Sequence, residues 1–372
     1  MPDKPFTIRS RRIVGPAGVI EDGAVIISGG RIADIGEWSL LKAASCPDVR
    51  DLGDATLLPG LVNAHAHLEL SHMSLPPLRG EGFLSWVRWL VAQPMGESDT
   101  ASVSAALAGM IESGTAAVAD IATRQPALVA SVLDAASLQY CLQFERFGYF
   151  PQAPLPEVPV DRLALAGHAL YSTDPETLRR AKAWDRERGK VFSLHLAEHE
   201  GETELLAQGT GEFADFMRER ILPRDFKHPG MSPVAWADAL GLLDGKSLAV
   251  HAVHVSKTDI DILKSRGSTV CLCPRSNEVI GVGRVPARAL LDAGIPCCLG
   301  TDSLASSPDL DLFGELRALL TFTPLTLAEA TGLLTATAAR LYAFEGLGSL
   351  APGSAARFAV LPGDLEEALA EW

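Results

Sequence analysis

From about residue 56 to 344 the chain repeats one texture: a short apolar run, then a stretch with helical period. The apolar runs include "GTAAVADIA" (114–122), "KVFSLHLAE" (190–198), "KSLAVHAVHV" (246–255), "STVCLCPRSN" (268–277) and "IPCCLGTDS" (295–303). Between them lie "VSAALAGMIESG", "PETLRRAKAWDRERG", "KTDIDILKSRG" and "VPARALLDAG", several closed by the glycine expected just past a helix end. Strands of five to eight residues alternating with helices of ten to fifteen demand βα units and a parallel sheet. About eight such units predict an α/β fold, a (β/α)8 TIM-type barrel, in preference to an open doubly wound sheet. A dinucleotide-binding sheet would carry GxGxxG after its first strand; "GVGRVPAR" (281–288) lacks the third glycine.

The flanks differ. Residues 1–55 alternate apolar and polar positions around turns at Asp22-Gly23 and Gly29-Gly30, and "GLGSLAPGSAARFAVLPG" (346–363) returns to that character. Residues 1–55 plus 345–372 are therefore expected to form a small β-domain built from both ends of the chain, with 56–344 as the barrel. The proline-rich "PQAPLPEVPVD" (151–161) reads as a surface loop. With 47% hydrophobic residues among 372, the chain can bury a large core, yet no run has membrane-spanning length. Neither a signal peptide nor an anchor is expected at the N-terminus. A net charge of −14 argues against nucleic acid as a partner. The six cysteines show no CxxC spacing, which suits reduced thiols and a cytoplasmic protein.

In a barrel of this kind, reactive side chains gather at the C-terminal ends of the strands. His65 and His67 end the run "LPGLVNAHAHLELS" (58–71), His195 ends "VFSLH", His251 ends "SLAVH" and Asp302 ends "CCLGTD". Burying so many polar groups without partners would cost a few kcal/mol each. Convergence on zinc or another borderline divalent ion removes that cost, since imidazole and carboxylate are suitable ligands. Glu198 follows His195 by three residues, and His254 competes with His251 for the sixth strand end. "HLE" (67–69) imitates the HxE of another zinc deaminase class but has no PCxxC beside it, and "HLAEHE" is not HExxH.

The ordered motifs "PGLVNAHAHLE", "LHLAEHEGE", "VHAVHVS", "CPRSN" and "LGTDSLAS" resemble the metal-dependent amidohydrolase superfamily. They are most similar to its branch of adenosine and S-adenosylhomocysteine deaminases, guanine and cytosine deaminases and s-triazine chlorohydrolases. The resemblance implies a barrel with a small β-sandwich, and one divalent ion (zinc, with iron or manganese as alternatives) on His65, His67, His195 and Asp302. It implies Glu198 and His251 as the groups acting on substrate and water, with Asp302 sharing the proton. Dinuclear members need a lysine at the fourth strand end, where "AGHALYS" offers His168. The family's C-terminal segment usually runs further, so the sandwich is expected to be small, or its edge covered in a homodimer.

The implied chemistry is hydrolytic deamination of a small molecule. A bound ion brings water near neutrality in pKa, Glu198 protonates a ring nitrogen, and ammonia leaves the adjacent carbon. Glu81, Trp86, Arg146, His168, Ser276, Asn277 and Ser303 are the candidate substrate contacts, with Arg275 as a further anion site. Glu81 is expected at ribose hydroxyls, and Arg146 with His168 at a distal carboxylate. His72 and His199 are expected in solvent or one step behind the site, and His228 in a loop over the site. "CLCPRSN", "GVGR" and "LGTDSLAS" lean toward aminodeoxyfutalosine deaminases of menaquinone synthesis, whose ligand joins an adenosine to a benzoate. The alternatives are an adenosine or S-adenosylhomocysteine deaminase, a guanine or cytosine deaminase, a triazine-type chlorohydrolase and, last, a catalytically silent barrel.

Overall fold

A computed structural model of the chain describes residues 4–77 and 79–369. The outer ends of the expected small unit, 1–3 and 370–372, lie outside that range. The chain begins with β1 (Phe6–Gly15), β2 (Gly18–Ser28), β3 (Arg31–Glu37), β4 (Val49–Asp51) and β5 (Thr56–Pro59). It then lays down the eight parallel strands β6 (Leu61–Ala66), β7 (Thr115–Ala122), β8 (Gln139–Arg146), β9 (Leu163–Ala169), β10 (Phe192–Leu196), β11 (Ser247–His251), β12 (Thr269–Leu272) and β13 (Cys297–Leu299). Finally β14 (Phe358–Leu361) pairs antiparallel with β5, so the small sheet runs β14-β5-β1-β2-β3, with β4 also on β1.

The eight strands follow one another in order around the sheet. Closure comes at the C-terminal rim. Ala66 bridges Asp302, Thr301 N–H donates to His65 O at 3.0 Å, and His67 N–H donates to Asp302 O at 3.3 Å. Gly300 makes this approach possible, because a Cβ there would sit 2.7 Å from Cys271 Sγ and 2.8 Å from His65 Cβ. The rim is thus where the first and last strands are locked together.

Helix boundaries follow local chemistry. Asp99, Ser256 and Thr326 cap helices 100–112, 257–266 and 327–331 in reciprocal capping boxes, and proline opens helices 126–135, 175–187, 233–239 and 274–280. Gly209, Gly267 and Gly281 close helices 200–208, 257–266 and 274–280 in the left-handed conformation. The third unit departs from the repeat: no helix separates β8 from β9, and the proline-rich segment runs there instead. Inside the barrel, Val62, Ala64, Ala117, Leu248, Val250, Cys271 and Cys298 pack with Ala338 and Leu341 of helix 337–342. That helix underpins the floor, and Tyr342 Oη donates to Gln143 Oε1 at 3.0 Å. Among the described residues no helix is long and apolar enough to cross a membrane.

Candidate active site

The ends of β6, β8, β9, β10, β11 and β13 deliver polar groups to one cavity. His65 and His67, two residues apart on the end of β6, fall on the same face because strand side chains alternate. Their Nε2 atoms are 3.1 Å apart, and His195 Nε2, from β10, lies 3.2 Å from His65 Nε2. Asp302 Oδ1 stands 3.5 Å from His67 Nε2 and 3.8 Å from His65 Nε2. A tetrahedral ion with bonds of about 2.0 Å has ligand–ligand edges of about 3.3 Å. The three imidazole nitrogens group within ligand reach of one another and Asp302 Oδ1 stands beside two of them, so this donor set fits a single ion such as zinc.

Neighbouring groups fix which atom His195, Asp302 and His251 present. His195 Nδ1–H donates to His168 O at 2.9 Å, leaving Nε2 with its lone pair. Asp302 Oδ2 accepts from Ser276 Oγ at 2.6 Å and Ser306 Oγ at 2.8 Å, which turns Oδ1 toward the histidines. His251 Nδ1–H donates to Asn277 Oδ1 at 2.9 Å, and its Nε2 lies 3.5 Å from Glu198 Oε1. The sixth-strand ambiguity resolves geometrically. His251 lines the cavity, whereas His254 Nε2 donates to Val282 O at 2.7 Å, away from it. Ala197, His251, Ala252 and Asp302 all take left-handed backbone angles, with φ of 53°, 73°, 48° and 58°. Four strained non-glycine residues at one rim is the pattern of a functional constellation.

Burial sets the protonation. It drives His65 well below the ordinary imidazole range, His67 to about 3, and His168 and His251 to about 4, so all present neutral rings. Burial pushes Glu198 well above the ordinary carboxylate range, and the charges of Asp302 and Glu202 add to the shift. Asp302 goes the other way. Burial opposes its ionisation, but His67, His251 and the Ser276 hydroxyl outweigh that and hold it below its usual value. An acid, neutral bases and an anion therefore share one pocket, the separation that acid–base chemistry requires.

The candidate substrate contacts divide. Trp86, on helix 83–90, lines the cavity and donates its indole N–H to Ala305 O at 3.1 Å; His168 and Ser303 line it too. Ser276 and Asn277 act one step back, on Asp302 and His251. Glu81 is exposed and outside the lining, because it sits in the loop before helix 83–90 rather than on it. Arg146 also misses the cavity. Its guanidinium donates to Ala153 O at 2.7 Å and stacks 4.6 Å over Phe144. Arg275 is consumed by Glu315 and Asp309, at 2.7 and 2.8 Å. His199 lies behind the site, buried, with its ring stacked 3.8 Å from Phe83 of the lining.

Two carboxylates were missed. Glu145 shares the inward face of β8 with Gln143, and Arg146 is turned away by the same alternation. Glu69, in "HLE", lies buried and accepts from the N–H groups of Thr123, Arg124 and Gln125 at 2.9, 2.9 and 3.0 Å. Strand period would have found Glu145. Nothing local in the sequence marks Glu69 as the acceptor for a distant loop. Leu70, Phe83, Trp86, Leu90 and Met95 complete an apolar wall, and no lysine or arginine is among the described lining residues. The cavity is small, ≈ 110 Å³, whereas a ≈ 790 Å³ cleft between the small sheet and the starts of β8 and β10 has no histidine.

Comparison with known proteins agrees with this geometry. The family described as "Amidohydrolase family" matches residues 56–372. The chain is similar to the 5-methylthioadenosine/S-adenosylhomocysteine deaminase of Nitratidesulfovibrio vulgaris, 32% identical over 326 residues that cover 81% of this chain and 68% of the relative. It is 26% identical to the aminodeoxyfutalosine deaminase of Deinococcus radiodurans over 324 residues, 81% of this chain and 77% of the other. Among solved structures, an adenosine deaminase from Xanthomonas campestris with bound zinc superposes with a TM-score of 0.77 at 25% identity, over 96% of this chain and 84% of that one.

Proposed function

The chain belongs to the amidohydrolase family, and from that premise we propose that it hydrolytically deaminates an adenine-type nucleoside at one divalent ion, preferably zinc, on His65, His67, His195 and Asp302. The observation that carries this is the set of three converging Nε2 atoms, 3.1 and 3.2 Å apart, beside a Glu198 whose burial pushes its carboxyl well above the usual range. When bound, the ion supplies a water acidic enough to act as nucleophile at neutral pH.

The chain's own groups do the rest. Glu198 holds a proton next to the site and donates it to the ring nitrogen beside the amino-bearing carbon, making that carbon electrophilic. His251, with Nδ1–H tied to Asn277, keeps a lone pair on Nε2 that takes the proton of the attacking water. Asp302 orients that water through Oδ1 while two hydroxyls hold Oδ2. On collapse His251 passes the water's proton to the departing amine and the new hydroxyl's proton returns to Glu198, so adenine and water become hypoxanthine and ammonia.

Within this class, the apolar wall, with no lysine or arginine among the described lining residues, supports a nucleoside with an uncharged 5′ side, such as adenosine or 5-methylthioadenosine. Aminodeoxyfutalosine, and with it a place in menaquinone synthesis, is the second choice. His168 in the lining and the Deinococcus relative favour it, but Arg146, half of its expected carboxylate pocket, points elsewhere. The test is to load the protein with zinc and follow the ultraviolet change from adenine to hypoxanthine. Adenosine, 5-methylthioadenosine, S-adenosylhomocysteine and aminodeoxyfutalosine form the panel, with the first two expected to react fastest. Inertness of all four with the ion bound would refute the nucleoside reading and shift attention to free bases and triazines.

A further inference from the structure

The turn that leads from β10 into Glu198 is strained and tied down from two directions. Ala197 takes a left-handed φ of 53°, its carbonyl accepts from His254 N–H at 2.8 Å, and Leu196 O accepts from Ala252 N–H at 3.1 Å. Those bonds stitch the turn to the chain after β11, but neither holds Glu198 itself. The Glu198 N–H donates instead to Glu202 Oε2 at 3.0 Å. Glu202 is fully buried and outside the cavity lining, and its Oε1 has no hydrogen-bond partner. A carboxyl group kept in the interior for one hydrogen bond is costly, so that bond is where its use has to be sought.

Helix 200–208 shows how the bond arises. In an ordinary capping box the third helical residue reaches back to the N–H of the cap. Here the cap is His199, whose Nδ1 accepts from Glu202 N–H at 3.3 Å, but the return bond from Glu202 skips His199 and lands on Glu198. The box is displaced one residue toward β10, so it grips the proton donor and not the cap. Resting on the deaminase reading, we infer that Glu202 is a positioning residue, which holds the Glu198 N–H and thereby aims the Glu198 carboxyl at the substrate beside His251. The strained residue just before Glu198 has lower-energy backbone states to relax into, and a relaxed turn would carry the carboxyl away from His251 Nε2, now 3.5 Å distant. A displacement of about 1 Å in a reacting group is enough to cost on the order of 10²-fold in rate.

The experiment places Glu202→Ala, Glu202→Asp and Glu202→Gln in the zinc-loaded protein, each alone and together with Glu198→Gln. The substrate is the nucleoside that the wild type turns over fastest, and kcat, KM and bound zinc are measured for every variant. Glu202→Ala removes the acceptor and should lower kcat at least about tenfold, with KM within about twofold and zinc unchanged. Glu202→Asp withdraws the carboxyl by one methylene and should cost at least about fivefold, which keeps the test open if the alanine variant does not fold. Glu202→Gln retains an acceptor oxygen, and its NH2 takes the place of the unpartnered Oε1, so kcat should stay within about twofold of wild type. With Glu198→Gln already present there is no acid left to aim, and the same substitutions should change kcat by less than about twofold. A residue that only caps its helix would give equal losses in both backgrounds. That result, full kcat in Glu202→Asp, or failure of glutamine to rescue would overturn the inference while leaving the deaminase reading intact. A wild type that holds zinc and deaminates no nucleoside would instead remove that reading, and this inference with it.

Discussion

The histidine centre and the wall facing it share one cavity but are built by opposite means. The centre is assembled from strand termini, β6, β10, β11 and β13, whose positions are locked by the barrel's own ladder and by the β6–β13 closure at Asp302. The wall comes largely from the long connection between β6 and β7, with Leu70, Phe83, Trp86, Leu90 and Met95, plus Thr123 and Glu145 from β7 and β8. The centre is polar, and hydrogen bonds to neighbours direct His195, His251 and Asp302. The wall is apolar apart from a few carboxylates, so it encloses rather than reacts. Rigid strand ends suit chemistry that tolerates little displacement, while loop-borne surfaces can change the substrate without disturbing it.

The sharpest way to break this division is at the centre. His67→Ala should abolish stable ion binding and lower deaminase activity by on the order of a thousandfold or more, read by metal analysis and by the ultraviolet assay together. Next, Glu198→Gln should lower kcat by about 10²–10⁴-fold with the ion still bound, because only the proton donor is lost. If that variant also lost its ion, Glu198 would belong with the ligands rather than beside them. At the wall, Glu69→Ala should act on stability instead. Three part-buried N–H groups lose their acceptor, at a cost on the order of 3 kcal/mol in urea unfolding, with ion content unchanged. The smallest effect is expected for Arg146→Ala. Turnover of adenosine should stay within about twofold, since the side chain serves Ala153 O and Phe144 and not the cavity. A large rise in KM there would place the arginine in the pocket after all.

The same division explains what the sequence discloses. The α/β barrel is legible because each apolar run ends in a polar residue at a rim, and a strand's two-residue period fixes which residues face inward. His65, His67, His195, His251 and Asp302 are brought together as their strand-end positions imply. The wall is poorly legible. Glu81 and Trp86 sit five residues apart, yet the loop-to-helix turn at Gly82 sends one to solvent and the other to the cavity. On β8 the arginine attracts attention, but alternation gives the inner position to its neighbour Glu145, a one-residue difference with opposite consequences. Glu69 depends on a contact more than fifty residues away in sequence, which no local pattern encodes.

The most direct test of the central claim is an ion titration of the stripped protein with adenosine present. Zinc is removed with a chelator and returned in steps while hypoxanthine formation and bound ion are measured in the same samples. Activity should vanish in the stripped protein and return in proportion to occupancy, reaching its maximum at one ion per chain. Full turnover without the ion, or one ion bound with no turnover of any nucleoside, free base or triazine, would contradict a mononuclear hydrolytic deaminase.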